Sequence, residues 1–313
     1  MDIYRTIVLS QIPRALSLGD RNAASKTFGC FDRYYWQYLT DFSNSRFQEA
    51  VLLLALAYKH DFKGNWFYGK HKVLEWCKAG INFWIKLQHR NGSFNEMYPY
   101  ENSFVATCFT TYAISEALLI LNDQSLIRKC FIPLQKAGDW IADNNNLLVS
   151  NQMAGAIIAL HNIFLLTQKA KYKEGIDKKI DLLLNLQHSE GYFPEYRGWD
   201  IGYLSICISY LAKYYQKTKE RRIFGPLQKA IKFVENKVDA YCRYDYASTS
   251  RRTQYLYPHG FRILGSKIIR IHIGGLKENK VLNPVWMDDR YFLPLTIDYL
   301  QTYLEAKNAY DYK

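Results

Sequence analysis

The chain has 313 residues, 49% hydrophobic and 16% aromatic, with 41 Lys plus Arg against 29 Asp plus Glu and a formal net charge of +12. That apolar content excludes a disordered chain, and the length suffices for one large core near the upper size of a single domain. The basic excess points to anionic partners, but no block of five basic residues occurs, so dedicated nucleic-acid binding is not expected.

Residues 1–40 read as an N-terminal arm. Its opening, "MDIYRTIVLSQIPRALSLGDR", has Asp2, Arg5 and Arg14 breaking the apolar positions. It fits neither a signal peptide nor a membrane span, which makes the cytoplasm the expected compartment. A helix lying on a membrane surface is the alternative for this arm.

From 41 to 239 two kinds of helical pattern alternate. Segments 46–59, 103–121, 151–168 and 201–216 are poor in charge and rich in Ala, Leu, Ile and Phe, as inner helices enclosed on most sides would be. Segments 71–88, 126–143, 173–187 and 219–237 carry a charged face (Lys72, Glu75 and Lys78 in the first) and read as outer helices. Internal similarity supports this pairing. "LQHRNGSFNE" at Leu87 returns 99 residues later as "LQHSEGYFPE" at Leu186, and "PLQKAGDWI" at Pro133 returns 93 residues later as "PLQKAIKFV" at Pro226. Such offsets imply a helical hairpin unit of about fifty residues.

Residues 240–287 lack a clean period. "SKIIRIHIGG" alternates as a strand does, so a small irregular or β-containing insert is expected there. The pattern 288–305 reads as a closing helix within 288–313, and Pro294 in its second turn favours a later start. Together these predict an all-α, single-domain chain: an α/α toroid, an incomplete barrel of about five to six helical hairpins.

The six cysteines (Cys30, Cys77, Cys108, Cys130, Cys207, Cys242) form no CxxC pair and read as buried thiols. Neither HExxH, a P-loop nor GxGxxG is present, and neither is the DxDD of terpene cyclases, so no cofactor or metal is expected.

In a toroid all inner helices run the same way, and their N-termini gather unpaired N–H groups and positive dipole ends on one rim. The segments leading into them are "DFSNSRFQEA", "MYPYENSFVAT", "LLVSNQMAG", "EYRGWDIGYL" and "NPVWMDDRYF". Capping accounts for Ser45 with Gln48, and for Asn102, Ser150 and Asp200. It does not account for Tyr98, Tyr100, Glu101, Tyr196, Arg197 and Trp199 being added at the same places. A flat apolar ring with a hydroxyl suits a sugar, so a saccharide cleft is expected, with Arg46 and Asp288 also at its rim.

"SNQMAGAIIAL" (150–160) resembles the Asn-led inner helix of heparinase II/III-like and alginate-lyase-like toroids. "EGYFPEYRGWDIGYLSICISYLAKYY" (190–215) is similar to their later segment, where a Gly-rich turn, a Glu and a Tyr precede an inner helix. "GCFDRYYWQYLTDFSNSRFQEA" (29–50) resembles heparinase-like proteins of bacterial surface-polysaccharide gene clusters, so the resemblance spans 29–217. It implies β-elimination on a uronic acid, with Asn151 holding the sugar carboxylate and Tyr203 as acid/base. Capping by Asn151 and core packing of Tyr203 remain the plain alternatives. These lyases take a catalytic His from a C-terminal β-sandwich for which this chain has no room. His259 in "YLYPHGF", flanked by Arg251, Arg252 and Tyr257, is the local substitute, or else a turn histidine without chemistry. His89 and His188 share the repeated turn and read as structural; His161 reads as a core residue.

A glycoside hydrolase would instead pair carboxylates from Glu101, Glu195, Asp200 and Asp288. A non-catalytic glycan-binding or scaffold protein of polysaccharide biosynthesis is the third reading. The expected partner is an acidic polysaccharide or lipid-linked oligosaccharide, with peripheral contact at the inner membrane face left open.

Overall fold

The computed structural model describes residues 1–311. In chain order its helices are α1 (Asp2–Leu18), α2 (Arg33–Trp36), α3 (Ala50–Lys59), α4 (His71–Leu87), α5 (Phe104–Leu121), α6 (Gln124–Asp143), α7 (Ser150–Thr167), α8 (Lys171–Asn185), α9 (Ile201–Thr218), α10 (Arg221–Lys237), α11 (His259–Ile263), α12 (Ile268–Lys277) and α13 (Phe292–Asp311). Among the described residues there is no strand, only isolated bridges. The chain is all-α.

Two helix types alternate as expected. α5, α7 and α9 are buried around most of their circumference, whereas α6 buries only Leu126, Cys130, Leu134, Ala137, Gly138 and Ile141 on one side. α5, α7 and α9 end on left-handed residues, Asn122, Gln168 and Lys219, whose N–H groups cap the last turn. The chain then reverses within two or three residues, and Asp123 or Glu220 opens the next helix by accepting its free N–H groups. Packing runs α3–α5–α7–α9–α11–α13 and back from α13 to α3, around one hydrophobic core. α4, α8, α10 and α1 lie against α3, α7, α9 and α13, and α6 packs on both α5 and α7.

The repeated motifs prove to be two halves of one contact. Gln88 Nε2 donates to Gly92 O and to Pro133 O, and Gln187 Nε2 donates to Gly191 O and Pro226 O. Each turn is thereby tied to the next outer helix. Gly92 (φ +96°) sits where a Cβ would lie 2.1 Å from Lys136 O, and Gly191 (φ +101°) where it would lie 2.7 Å from Lys229 O. Only glycine fits both the dihedral and the space.

Two expectations are corrected, and the later start expected for the closing helix is fixed. "SKIIRIHIGG" forms α12 rather than a strand, because Ile268, Ile269, His272, Gly275 and Leu276 are buried at helical spacing; the alternation was too short to outweigh it. The closing helix begins at Phe292, since Asp288 Oδ1 first accepts Arg290 N and Tyr291 N in a turn. Pro294 is then its third residue, where no intrahelical N–H is needed. The last two residues of that predicted element, 312–313, lie outside the described residues. The apolar face of α1 (Tyr4, Val8, Ile12, Ala15, Leu16) is buried against α13 and α12, so it is not free to lie on a membrane. α5 is the one described helix long and apolar enough to cross a membrane, and 72% of it is buried between its neighbours. All six cysteines are buried free thiols.

Candidate functional site

The segments preceding α3, α5, α7, α9 and α13 surround a cavity of about 290 Å³. Two equivalent joints build its walls. Ser150 N and Oγ both donate to Pro194 O, and Ser45 N and Oγ both donate to Asn95 O. The residue after each serine meets the glutamate that ends the repeated motif. Asn151 gives its backbone N–H and its Nδ2 to Glu195, both at 2.8 Å. Arg46 lies 3.6 Å from Glu96, and it also pairs with Glu49. Arg46 and Asn151 therefore reach the cavity from matching positions.

The third wall is the segment 249–253. Asp200, fully buried, caps α9 through Tyr203 N at 3.0 Å. Its carboxylate also accepts Thr249 Oγ1 (2.9 Å), Thr253 N (3.2 Å) and Thr253 Oγ1. This pins Arg251 with its guanidinium 4.4 Å over the Tyr196 ring and 5.6 Å over the Tyr203 ring. The last wall brings Arg290, which pairs with Glu96, and Tyr291.

The charges are arranged unevenly. Arg46 and Arg290 share Glu49 and Glu96, so these four groups balance. Arg251 has no carboxylate partner among the described residues and leaves the cavity cationic. Burial pushes the Tyr203 phenol up to about 12, with Tyr291 adding to the rise and Arg251 opposing it. Burial likewise drives the Glu195 carboxyl well above the usual range, against the pull of the two Asn151 donors. Desolvation is the largest influence in both cases.

The cavity thus brings together Arg46, Asn151, Tyr196, Tyr203 and Tyr257 of the residues singled out in the sequence. Arg252 and Asp288 line an adjoining open cavity of about 350 Å³ that shares Tyr203 and Arg251 with the first. Others are corrected to supporting roles. Glu195 is 0% exposed and faces Asn151, so it positions that amide and does not meet a ligand. Asp200 is a joint, as above. Glu101 accepts Met97 N and Tyr98 N and closes its own loop, while Asn102 Oδ1 accepts Asn91 and Ser93. Trp199 packs edge-on against Phe233 under Lys237, and Arg197 and the 83%-exposed Tyr100 stand outside the cavity.

His259 is the clearest correction. It starts α11, its N–H donates to Asp298 Oδ1 at 2.8 Å, and its Nε2 lies 3.8 Å from Glu305. It is buried, does not line the cavity, and burial lowers its pKa. A catalytic role there is not supported.

Glu96, Arg290, Tyr210, Tyr255 and Tyr291 also line the cavity and were missed. Glu96 was findable, because it occupies the place of Glu195 in the repeated ten-residue motif. Arg290 and Tyr291 lay in the flagged segment "NPVWMDDRYF", but nothing in their spacing set them apart. No protein-family model matches the chain, and no curated protein does either.

Proposed function

We propose that the cycle of inner helices is an α/α toroid of the heparinase II/III-like kind and that its cavity is the site of a polysaccharide lyase acting on an acidic bacterial surface glycan. The observation that carries this reading is the meeting of a fixed amide, Asn151, an unpaired cation, Arg251, and a buried phenol, Tyr203, around one sugar-sized space. In β-elimination Tyr203 reacts as its phenolate, which forms by loss of the phenol proton to solvent and is held by Arg251 against the burial that disfavours it. The phenolate takes the C5 proton of the uronate, the C4–O bond breaks, a C4=C5 double bond forms, and the regenerated phenol gives that proton to the leaving oxygen. Arg251 and the second Nδ2 proton of Asn151 hold the carboxylate, where charge develops as C5 loses its proton. Glu195 keeps the amide turned the right way. The cytoplasmic face of the membrane, with a nascent or lipid-linked chain, is the proposed setting.

A hydrolase is less well supported. It needs two carboxylates across the bond, and the one lining this cavity, among the described residues, is Glu96, already held by Arg46 and Arg290. Incubation with uronate-containing oligosaccharides, following the absorbance of the unsaturated uronate and reducing ends separately, tests the proposal. Lyase chemistry produces both signals, and Tyr203→Phe abolishes both while leaving ligand binding in place. Reducing ends without the absorbance would establish hydrolysis, and binding without either signal would leave a glycan-binding protein.

A further inference from the structure

We infer that the cavity is the cationic end of a longer groove that binds an oligosaccharide of several units, with the acidic sugar in the cavity and neutral sugars running to one side of it. This rests on the glycan reading above. The central cavity shares Tyr203, Arg251, Tyr255 and Tyr291 with the open cavity of about 350 Å³ beside it. That one in turn shares Gln254 and Leu282 with a third, of about 470 Å³, between the 239–246 loop and Lys280. Each has the volume of a small-molecule site. Their succession has room for a chain rather than one ring.

The charge along this path is graded. The unbalanced cation of the centre is Arg251, and the middle cavity adds Arg252 against Asp288. In the far cavity Arg243 is paired with Asp239 at 2.7 Å, and Lys280 is offset by Asp245, so no net charge remains. What the far cavity offers instead is aromatic surface from Tyr244 and the 43%-exposed Tyr246. A balanced wall with aromatic rings favours an uncharged sugar, which presents C–H faces to the ring and hydroxyls to the polar groups. The ligand class is therefore a heteroglycan in which acidic and neutral sugars occur together.

Titration calorimetry with hyaluronan oligosaccharides of two, four and six sugars, at low and high salt, tests this; an all-acidic oligogalacturonate series is the comparison. For hyaluronan, affinity is expected to rise about tenfold from two sugars to six, with that gain insensitive to salt, because one good aromatic contact accounts for a factor of this size. Tyr246→Ala, an exposed position outside the core, is expected to remove the gain and leave disaccharide binding unchanged. The oligogalacturonates are expected to gain less with length. Equal affinity at every length, a gain that Tyr246→Ala leaves intact, or an equal gain for the all-acidic series would overturn the groove while leaving the central site standing. Absence of binding at any length removes the glycan reading and the groove together.

Discussion

Replacing Asp200 separates a structural joint from a catalytic acid. Asp200→Ala deletes the cap of α9 and leaves Thr253 N–H, Tyr203 N–H and two threonine hydroxyls without the acceptor they share. A cap alone is worth about 1 kcal/mol and a hydrogen bond to a charged group about 1.5–3 kcal/mol, but the bonds overlap, so the expected loss is about 4 kcal/mol. Asp200→Asn keeps one oxygen for the cap, and its amide can still meet the Thr249 hydroxyl; the Thr253 N–H is the group left over, at about 1–2 kcal/mol. Urea denaturation gives both numbers, and hydrogen exchange at Thr253 shows whether the 249–253 segment loosens first. Arg251 rides on that segment, so ligand affinity should fall in step with its loosening. A loss below about 1 kcal/mol for Asp200→Ala, with Thr253 still protected, would refute the reasoning. Full stability with abolished turnover would return Asp200 to the chemistry.

Three further outcomes are expected. Glu195→Gln places an amide donor against one of the two Asn151 donors, so the unfolding free energy from urea titration should drop by about 1–3 kcal/mol, and turnover should fall because Asn151 turns. Tyr4, Tyr112, Tyr210, Tyr255, Tyr257 and Tyr299 are buried, and burial raises each phenol well above 10.0. The neutral form is favoured only in the fold, so this stability is complete below pH 10 and is lost as pH rises beyond it. Six such groups give a slope of about 8 kcal/mol per pH unit, which circular dichroism should record as a steep alkaline transition. Gly92→Ala meets Lys136 O and a positive φ together, and a destabilisation of at least about 2 kcal/mol is expected by the same urea assay.

The helices were legible because their periodicity was strong and their neighbours repeated it. α5, α7 and α9 were anticipated to within two residues at either end. α12 was not, since Ile-Arg-Ile-His-Ile satisfies a period of two over five residues, and only the burial of Ile268, Ile269, His272, Gly275 and Leu276 along one helical face decides for a helix. The cavity was legible in part for a similar reason. Asn151 and Tyr203 begin successive inner helices, and that order alone places them side by side. The partners of a buried carboxylate cannot be read the same way. Glu195 and Glu101 looked like equals in sequence, yet one is sealed behind Asn151 and the other folds back on its own loop. Arg290 enters the cavity from almost two hundred residues beyond Glu96, and no local pattern carries that meeting.

The glutamine ties have a consequence for how this molecule can change. Gln88 and Gln187 fasten the turns to the carbonyls of α6 and α10, and Gly92 and Gly191 press those turns onto the same helices. The rim loops are thus hung from the outer layer, while the residues that face the cavity sit at the start of the inner one. The side chains that tie the loops down are different from those that line the cavity. One matched pair of positions already holds Arg46 at one joint and Asn151 at the other, with the serine and glutamate scaffold kept at both. A scaffold of this kind accommodates a charged side chain at one joint and a neutral one at the other within the same frame, so the polarity of the cavity wall can change while the architecture stays put.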